Sequence, residues 1–295
     1  MIEYARLRPG PGFSPSKAML YYAQRMASVH WLRQGIAGAI ARGLARKHPA
    51  IPFDGNQIDL RDELLRRGLV SLPNLVAPDT VQKIHAYLQD KRLEIRGRRK
   101  LRLKDIPSDV GTADYPLDTV LGCPAVVDLV NSAAILSLVG AYLGCSPTLS
   151  SIGLRWSFPS TGEACDVQRF HRDPDDWRFV KLFVYLTDVD ADSGPHIYVK
   201  GSHRTSHGAR AHFYERDKLA ARYGAASITS VTGSSGTAFI ADTSGIHMGM
   251  PPKNRPRLML VAQYSLLPVF AFNYQPVLLE TGSHLDRYVN RLLFA

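Results

Sequence analysis

The sequence predicts a mainly β protein, an antiparallel sandwich or barrel with flanking helices, and three observations carry that prediction. From about Leu149 onward come TLSSIGLRWSF, FVKLFVYLTDV, HIYVKGS, GTAFIAD and RLMLVAQYSLL, short runs rich in β-branched and aromatic residues. Gly, Pro, Asp or Ser bounds each run, and no long helical pattern separates them. Ahead of them the apolar residues fall at helical spacing instead. The 295 residues can bury a sizeable core, and 45% hydrophobic with 21% charged residues excludes wholesale disorder.

The elements follow in order. Residues 17–47 read as helix, with a break near Gly35 and a stop before Pro49. Such a basic helix suits either an anionic membrane surface or the protein's own core. Asp59 is placed to cap a short helix through Arg67, Gly68 closes it, and Leu69–Leu72 reads as a strand. Asp79 has the position of an N-cap for a helix to about Leu88. A basic run from Lys91 to Lys104, interrupted by Gly97, suits phosphate binding or a solvated face. Residues 115–144 hold a further helical region, VVDLVNSAAILSLVGAYLG.

The formal charge is +10, and it is unevenly placed: residues 1–104 sum to +12 and residues 105–295 to −2. A basic front of this kind favours an anionic substrate or membrane surface. No zinc-finger spacing or recognition-helix pattern is present, so no nucleic acid is expected. Three scattered cysteines, Cys123, Cys145 and Cys165, support neither a disulfide framework nor a Cys-based zinc site. With no secretion signal at the polar N-terminus, and with arginines interrupting the apolar stretch Ala18–Ala45, the expected location is cytoplasmic, with peripheral contact at the inner membrane face a candidate addition.

The chemistry concentrates in residues 168–257. His171 and Asp173 are two apart, so an extended chain projects both to one face. His247 follows the strand Gly236–Ala241 and a turn at Asp242–Gly245. Two imidazoles and one carboxylate, with positions left open for cosubstrate and dioxygen, form the facial triad of non-haem Fe(II) oxygenases. Asp175 and Asp176 compete with Asp173 as the carboxylate. Arg257, at the start of a strand, suits bidentate clamping of a carboxylate, with Arg255 as its competitor.

These residues resemble the phytanoyl-CoA dioxygenase-like (PhyH-like) family of Fe(II)/2-oxoglutarate oxygenases. The resemblance rests on H-x-D at His171–Asp173, LTDVDADSGP, the GSHR turn at Gly201–Arg204 and D-T-x-G-x-H at Asp242–His247. It continues through the arginine before L-x-L-V-x-Q-Y and through RRGLVSLPNLVAPDTVQKI, residues 66–84, covering about 60–265. It implies a double-stranded β-helix, or jelly roll, over residues 59–295, behind a basic helical extension at 1–58. It further implies iron held by His171, Asp173 and His247, and the distal carboxylate of 2-oxoglutarate held by Arg257. The implied reaction couples oxidative decarboxylation of 2-oxoglutarate, with O2, to hydroxylation of an unactivated C–H. Related halogenases replace the carboxylate ligand with a small residue, so Asp173 favours hydroxylation.

Several family members carry a serine two residues beyond the distal histidine, where this chain has Gly249. Lys181, Phe183, Tyr185 and Thr187 share one strand face, so Lys181 or Tyr185 is a candidate replacement partner for the cosubstrate, the alternative being Phe183 and Tyr185 in the core and Lys181 exposed. Gln168 is a further candidate for cosubstrate or substrate. His203 is expected to secure its turn, and His196, His207 and His212 lack ligand spacing. Among substrates, an anionic sugar or glycolipid such as Kdo in a lipopolysaccharide precursor fits the basic front. A small metabolite of secondary metabolism is the alternative. A non-catalytic jelly-roll binding module and a Zn(II) hydrolase are the competing classes.

Overall fold

A computed structural model describes residues 2–26, 29–52, 58–95, 100–160, 168–206, 213–278 and 284–295. The elements before the main strands are β1 (Glu3–Tyr4), α1 (Pro15–Met26), α2 (His30–Ala45), α3 (Ile58–Arg67), β2 (Leu69–Ser71), α4 (Pro78–Leu88), β3 (Leu93–Glu94), β4 (Lys100–Leu101) and β5 (Thr112–Asp114). Three helices follow, α5 (Leu117–Leu121), α6 (Pro124–Val130) and α7 (Ala133–Leu143), then β6 (Thr148–Ser157), β7 (Phe179–Tyr185) and β8 (His196–Val199). The chain continues through α8 (Arg216–Tyr223), β9 (Ile228–Val231), β10 (Ala238–Ala241), β11 (His247–Gly249), β12 (Arg257–Ser265), β13 (Phe272–Asn273) and α9 (Arg287–Asn290).

Several expected boundaries move for local reasons. α2 begins behind an extended Val29 and does not break at Gly35, which lies inside α2 with open space beside it. Asp59 lies in the first turn of α3. Pro78 starts α4 behind Ala77, so Asp79 is also a first-turn residue, bonded to Lys83 at 2.6 Å. Gly68 does close α3, with φ of 75°. A side chain there would strike the Tyr198 hydroxyl and His203 Nδ1, 2.2 and 2.4 Å from the Cβ position. The basic run forms the short hairpin β3–β4, where Lys100 pairs with Glu94 at 3.3 Å. Gly97, Arg98 and Arg99 lie outside the described residues, as do Cys165, His207 and His212.

β2-β10-β7-β12-β6-β5-β3-β4 form an eight-stranded antiparallel sheet, and β11-β8-β9 form a three-stranded one. Together they make the expected jelly roll with flanking helices. The outer face of the large sheet, with Leu154, Leu182, Ile240 and Leu260, packs on α4, α6 and α7 in the main core. Pro124–Leu143 has the length and apolarity to cross a membrane, with mean hydropathy 1.8, but it is two helices, 67% buried. Asn131 and Ser132 interrupt it. The inner face presents Phe183, Tyr185, Phe239 and Met259 toward Tyr198 and Val231 of the small sheet.

The first residues are built into this frame. β1 pairs with β13, Gln24 of α1 donates to the Asp176 carboxylate at 3.1 Å, and Arg33 of α2 donates to the Trp177 carbonyl at 3.1 Å. Ala37 and Ala41 of α2 join the main core.

Candidate active site

His171 and His247 meet as an isolated antiparallel bridge, each backbone N–H donating to the other's carbonyl, at 2.9 and 3.0 Å. The Asp173 N–H donates to Thr243 O at 2.8 Å, which brings the H-x-D segment alongside the turn before β11. That turn is locked by Asp242. Its carboxylate accepts from Tyr142 (2.5 Å) and from the Ser244 N–H (2.9 Å) and hydroxyl (2.6 Å). Gly245 approaches Tyr198 so closely that a Cβ would lie 2.1 Å from its hydroxyl. The spacing of D-T-x-G-x-H thus has a physical cause: an Asx-type turn and a close approach that aim His247 inward.

The GSHR turn fastens the same region from behind. Gly201, with φ of 79°, donates its N–H to Arg67 O (2.8 Å), and Ser202 Oγ accepts from the Ile246 N–H (2.7 Å). His203 is buried and hydrogen-bonds Leu65 O at 3.1 Å, a turn-securing role.

One ligand atom from each of His171, Asp173 and His247 lies within 4.8 Å of the other two. His171 Nε2 stands 3.6 Å and His247 Nε2 3.4 Å from the two Asp173 oxygens. Each ring gives its Nδ1–H to a backbone carbonyl, of Arg169 (2.7 Å) and Gly245 (3.0 Å) respectively. Both Nε2 lone pairs therefore face the carboxylate, the tautomer and aim a metal ligand needs. Burial opposes charge on Asp173, but the Lys181 ammonium beside it is the chief cause that holds its carboxyl well below the usual range. This donor set fits a divalent iron with open positions.

The competing carboxylates have other partners. Asp175 accepts from Lys181 at 3.3 Å. Asp176 is buried and accepts from Gln24 and from the Leu267 N–H at 2.9 Å. Burial pushes the Asp176 carboxyl up to about 7 from 3.8, so the folded protein holds this proton more tightly than the unfolded chain. The resulting stabilisation is complete below about pH 4 and is lost as pH rises through about 7. In chemical denaturation at stepped pH, Asp176→Asn is expected to remove that dependence. The wild type should lose about 1.4 kcal/mol per pH unit relative to the variant across this window.

Arg257 is buried on the inner face of β12, opposite Ser157, whose Oγ accepts from Nη2 at 3.3 Å. Its Nε and Nη1 have no protein partner. Leaving a buried donor unpaired costs about 1–3 kcal/mol, more when charged, so the site is built for an incoming anion. Further along the same face, Gly153 of β6, opposite Val261, leaves open space where a side chain would stand. The unpaired guanidinium fits the distal carboxylate of 2-oxoglutarate. Arg255 is exposed and pairs with Asp190 instead.

Lys181 is not an exposed strand end. Its ammonium lies 2.7 Å from Asp173 and 3.3 Å from Asp175, which raises its pKa despite burial. It stands opposite Gln263, with Arg257 at the other end of β12. Tyr185 lies nearer Arg257, but its hydroxyl donates to Val231 O and accepts from the His196 N–H, both at 2.9 Å. Gln168 is half-buried ahead of the bridge.

The residue the sequence undervalued is His196. Its ring packs on Phe183 and His247, with centroids 4.6 and 5.5 Å apart, and its buried Nε2 has no protein partner. Burial, then the nearby His247 and Arg257, hold it well below the usual imidazole range, hence neutral. It is directly opposite Gly249. The strand period, which sets His196 and Tyr198 on one face, was the available signal.

Residues 64–255 match the family model described as phytanoyl-CoA dioxygenase (PhyH), a span holding all three triad residues. The chain belongs to this family. It is accordingly a 2-oxoglutarate-dependent oxygenase using Fe(II), 2-oxoglutarate and O2. No curated protein sequence matches the chain. Among solved structures, EctD from S. alaskensis with bound Fe is similar at 17% identity and TM-score 0.53, over 81% of this chain and 86% of that one. HygX from Streptomyces hygroscopicus with nickel, 2-oxoglutarate and hygromycin B bound is similar at 17% identity and TM-score 0.53, over 76% of this chain and 91% of that one. At these identities the likeness shows a shared fold.

Proposed function

We propose that the protein hydroxylates an unactivated C–H of a small organic substrate, with His171, Asp173 and His247 holding Fe(II) and Arg257 anchoring 2-oxoglutarate. The converging, correctly tautomerised triad carries this reading. When bound, the metal and cosubstrate supply the oxidation: substrate, 2-oxoglutarate and O2 become hydroxylated substrate, succinate and CO2. The chain's own part is to hold the three ligands, to clamp the distal carboxylate in a dry site and to exclude water with Phe183 and Phe239. An intact Asp173 keeps the ligand position that a halogenase would leave for halide.

In place of the serine absent at Gly249, we assign His196 Nε2–H as the second donor to cosubstrate, with Tyr185 positioning its backbone. His196→Ala is then expected to raise the KM for 2-oxoglutarate about tenfold, one hydrogen bond's worth, with metal affinity unchanged. An unchanged KM removes His196 from that role.

For the substrate, an anionic sugar or glycolipid such as Kdo is the class to test first, at the inner face of the cytoplasmic membrane. The support is the basic front, which raises local anion concentration. A cosubstrate-consumption screen over acidic sugars, glycolipids, amino acids and acyl thioesters tests this. Turnover confined to neutral small metabolites contradicts the anionic class; absence of metal-dependent succinate formation contradicts the hydroxylase.

A further inference from the structure

From Tyr4 to Phe53 the chain carries eight Lys and Arg and not one Asp or Glu. The helices within that stretch are turned the unusual way round. The inner face of α2 holds Arg33, Ala37 and Ala41, of which Ala37 and Ala41 are buried and Arg33 binds the loop after Asp173. The outer face runs Trp31, Gly35, Ala39, Arg42 and Arg46, all exposed and spaced as one side of a helix. On α1, Ala18 and Gln24 are buried, whereas Met19, Leu20 and Tyr22 point outward.

The exposures are large: Trp31 74%, Met19 67%, Tyr22 48%, Val29 44%. Most of the large apolar side chains exposed among the described residues fall within the first 32 positions. A helix on a soluble surface normally puts charged side chains outward, and a clustered apolar face marks a docking site.

We infer that the outward face of α1 and the start of α2 docks on an anionic lipid bilayer. Trp31, Tyr22, Met19, Leu20 and Leu32 would enter the headgroup–acyl boundary, with Arg42, Arg46 and Lys47 on the anionic surface. Charge decides between this occupant and a second copy of the chain. Self-association through a face with cations and no carboxylate brings like charges together, whereas an anionic surface complements them. Pro124–Leu143 offers no competing anchor, because it is built into the core.

The surface adjoins the site. Gln24 and Arg33, on the inner faces of these helices, bind Asp176 and Trp177, just beyond Asp173. Resting on the catalytic reading above, docking would bring the barrel mouth to the membrane and favour an amphiphilic substrate. The docking itself needs neither metal nor cosubstrate, so its test is separate.

The full-length protein is sedimented with vesicles of phosphatidylcholine alone and of phosphatidylcholine with phosphatidylglycerol. It is expected to pellet with the second and remain free of the first. Met19→Ser/Trp31→Ser/Leu32→Ser should weaken partition about tenfold or more, and Arg42→Gln and Arg46→Gln about fivefold each. Unchanged thermal unfolding midpoints exclude loss of fold, since these side chains are exposed. Quenching of Trp31 by brominated lipid, lost in Trp31→Phe, would place that face in the bilayer. Wild type that ignores anionic vesicles overturns the inference, as does undiminished binding by the triple variant. So does a concentration-dependent dimer in sedimentation velocity that the same three substitutions abolish.

Discussion

His171→Ala, Asp173→Ala and His247→Ala are each expected to reduce Fe(II)-dependent succinate formation to the background without enzyme. The triad offers one atom per residue, so each substitution removes a third of the protein's hold on the metal. Loss of fold is separable from loss of metal. The three side chains lie at the inner end of a bridge whose hydrogen bonds are backbone to backbone, so the bridge itself survives truncation. Binding of Ni(II) as an inert stand-in supplies the second readout. Wild type gains about 2.7 kcal/mol of stability at a metal concentration a hundredfold above Kd, and the variants gain little. Turnover in any of the three at the wild-type rate removes that residue from the site.

Arg257→Met has the second large effect, and it has two signs. Truncating one partner of a buried charge pair costs about 3–5 kcal/mol, so the KM for 2-oxoglutarate should rise at least a hundredfold. The unloaded protein should be no less stable than wild type. In the absence of cosubstrate the guanidinium is buried with two nitrogens unpaired, and an apolar side chain of similar length relieves that cost. Arg257→Lys keeps the charge but not the planar fork, so it restores the KM only in part. Equal destabilisation of apo and cosubstrate-loaded forms would instead mark Arg257 as a packing residue.

Much of this site was legible before the structure because its logic is local. Two residues apart on an extended chain means one face, and that places His171 with Asp173. The turn chemistry of Asp242 and Gly245 explains why the next histidine arrives opposite them. What stayed illegible depends on contacts between distant segments. Lys181 reads as a strand-end lysine until Asp173 and Asp175 are seen folded over it. His196 has ordinary neighbours in sequence, and only strand pairing sets it across from Gly249 and beside His247.

The fold shows the same division. The long strands β6, β7 and β12 carry enough β-branched and aromatic residues to be read directly. Two- and three-residue strands such as β3, β4 and β5 exist because a neighbour pairs with them, and composition cannot mark them. In the first helical region, glycine propensity points to Gly35 as the break, but Gly35 faces open space inside α2 and costs the helix little enough to be kept. For the first helical region the sequence leaves two readings, a membrane surface or the protein's own core, and only the packing of Ala37 and Ala41 into the core fixes which side of α2 faces outward.

The central claim, one metal on three named side chains with cosubstrate beside it, is tested most directly by absorption spectroscopy without oxygen. Adding Fe(II) and then 2-oxoglutarate to the wild type should produce a visible charge-transfer band that saturates at one iron per chain. His171→Ala and Asp173→Ala should not develop it, and Arg257→Met should need far more 2-oxoglutarate to do so. A wild-type protein that gives no band, or a band that persists in the triad variants, contradicts the account.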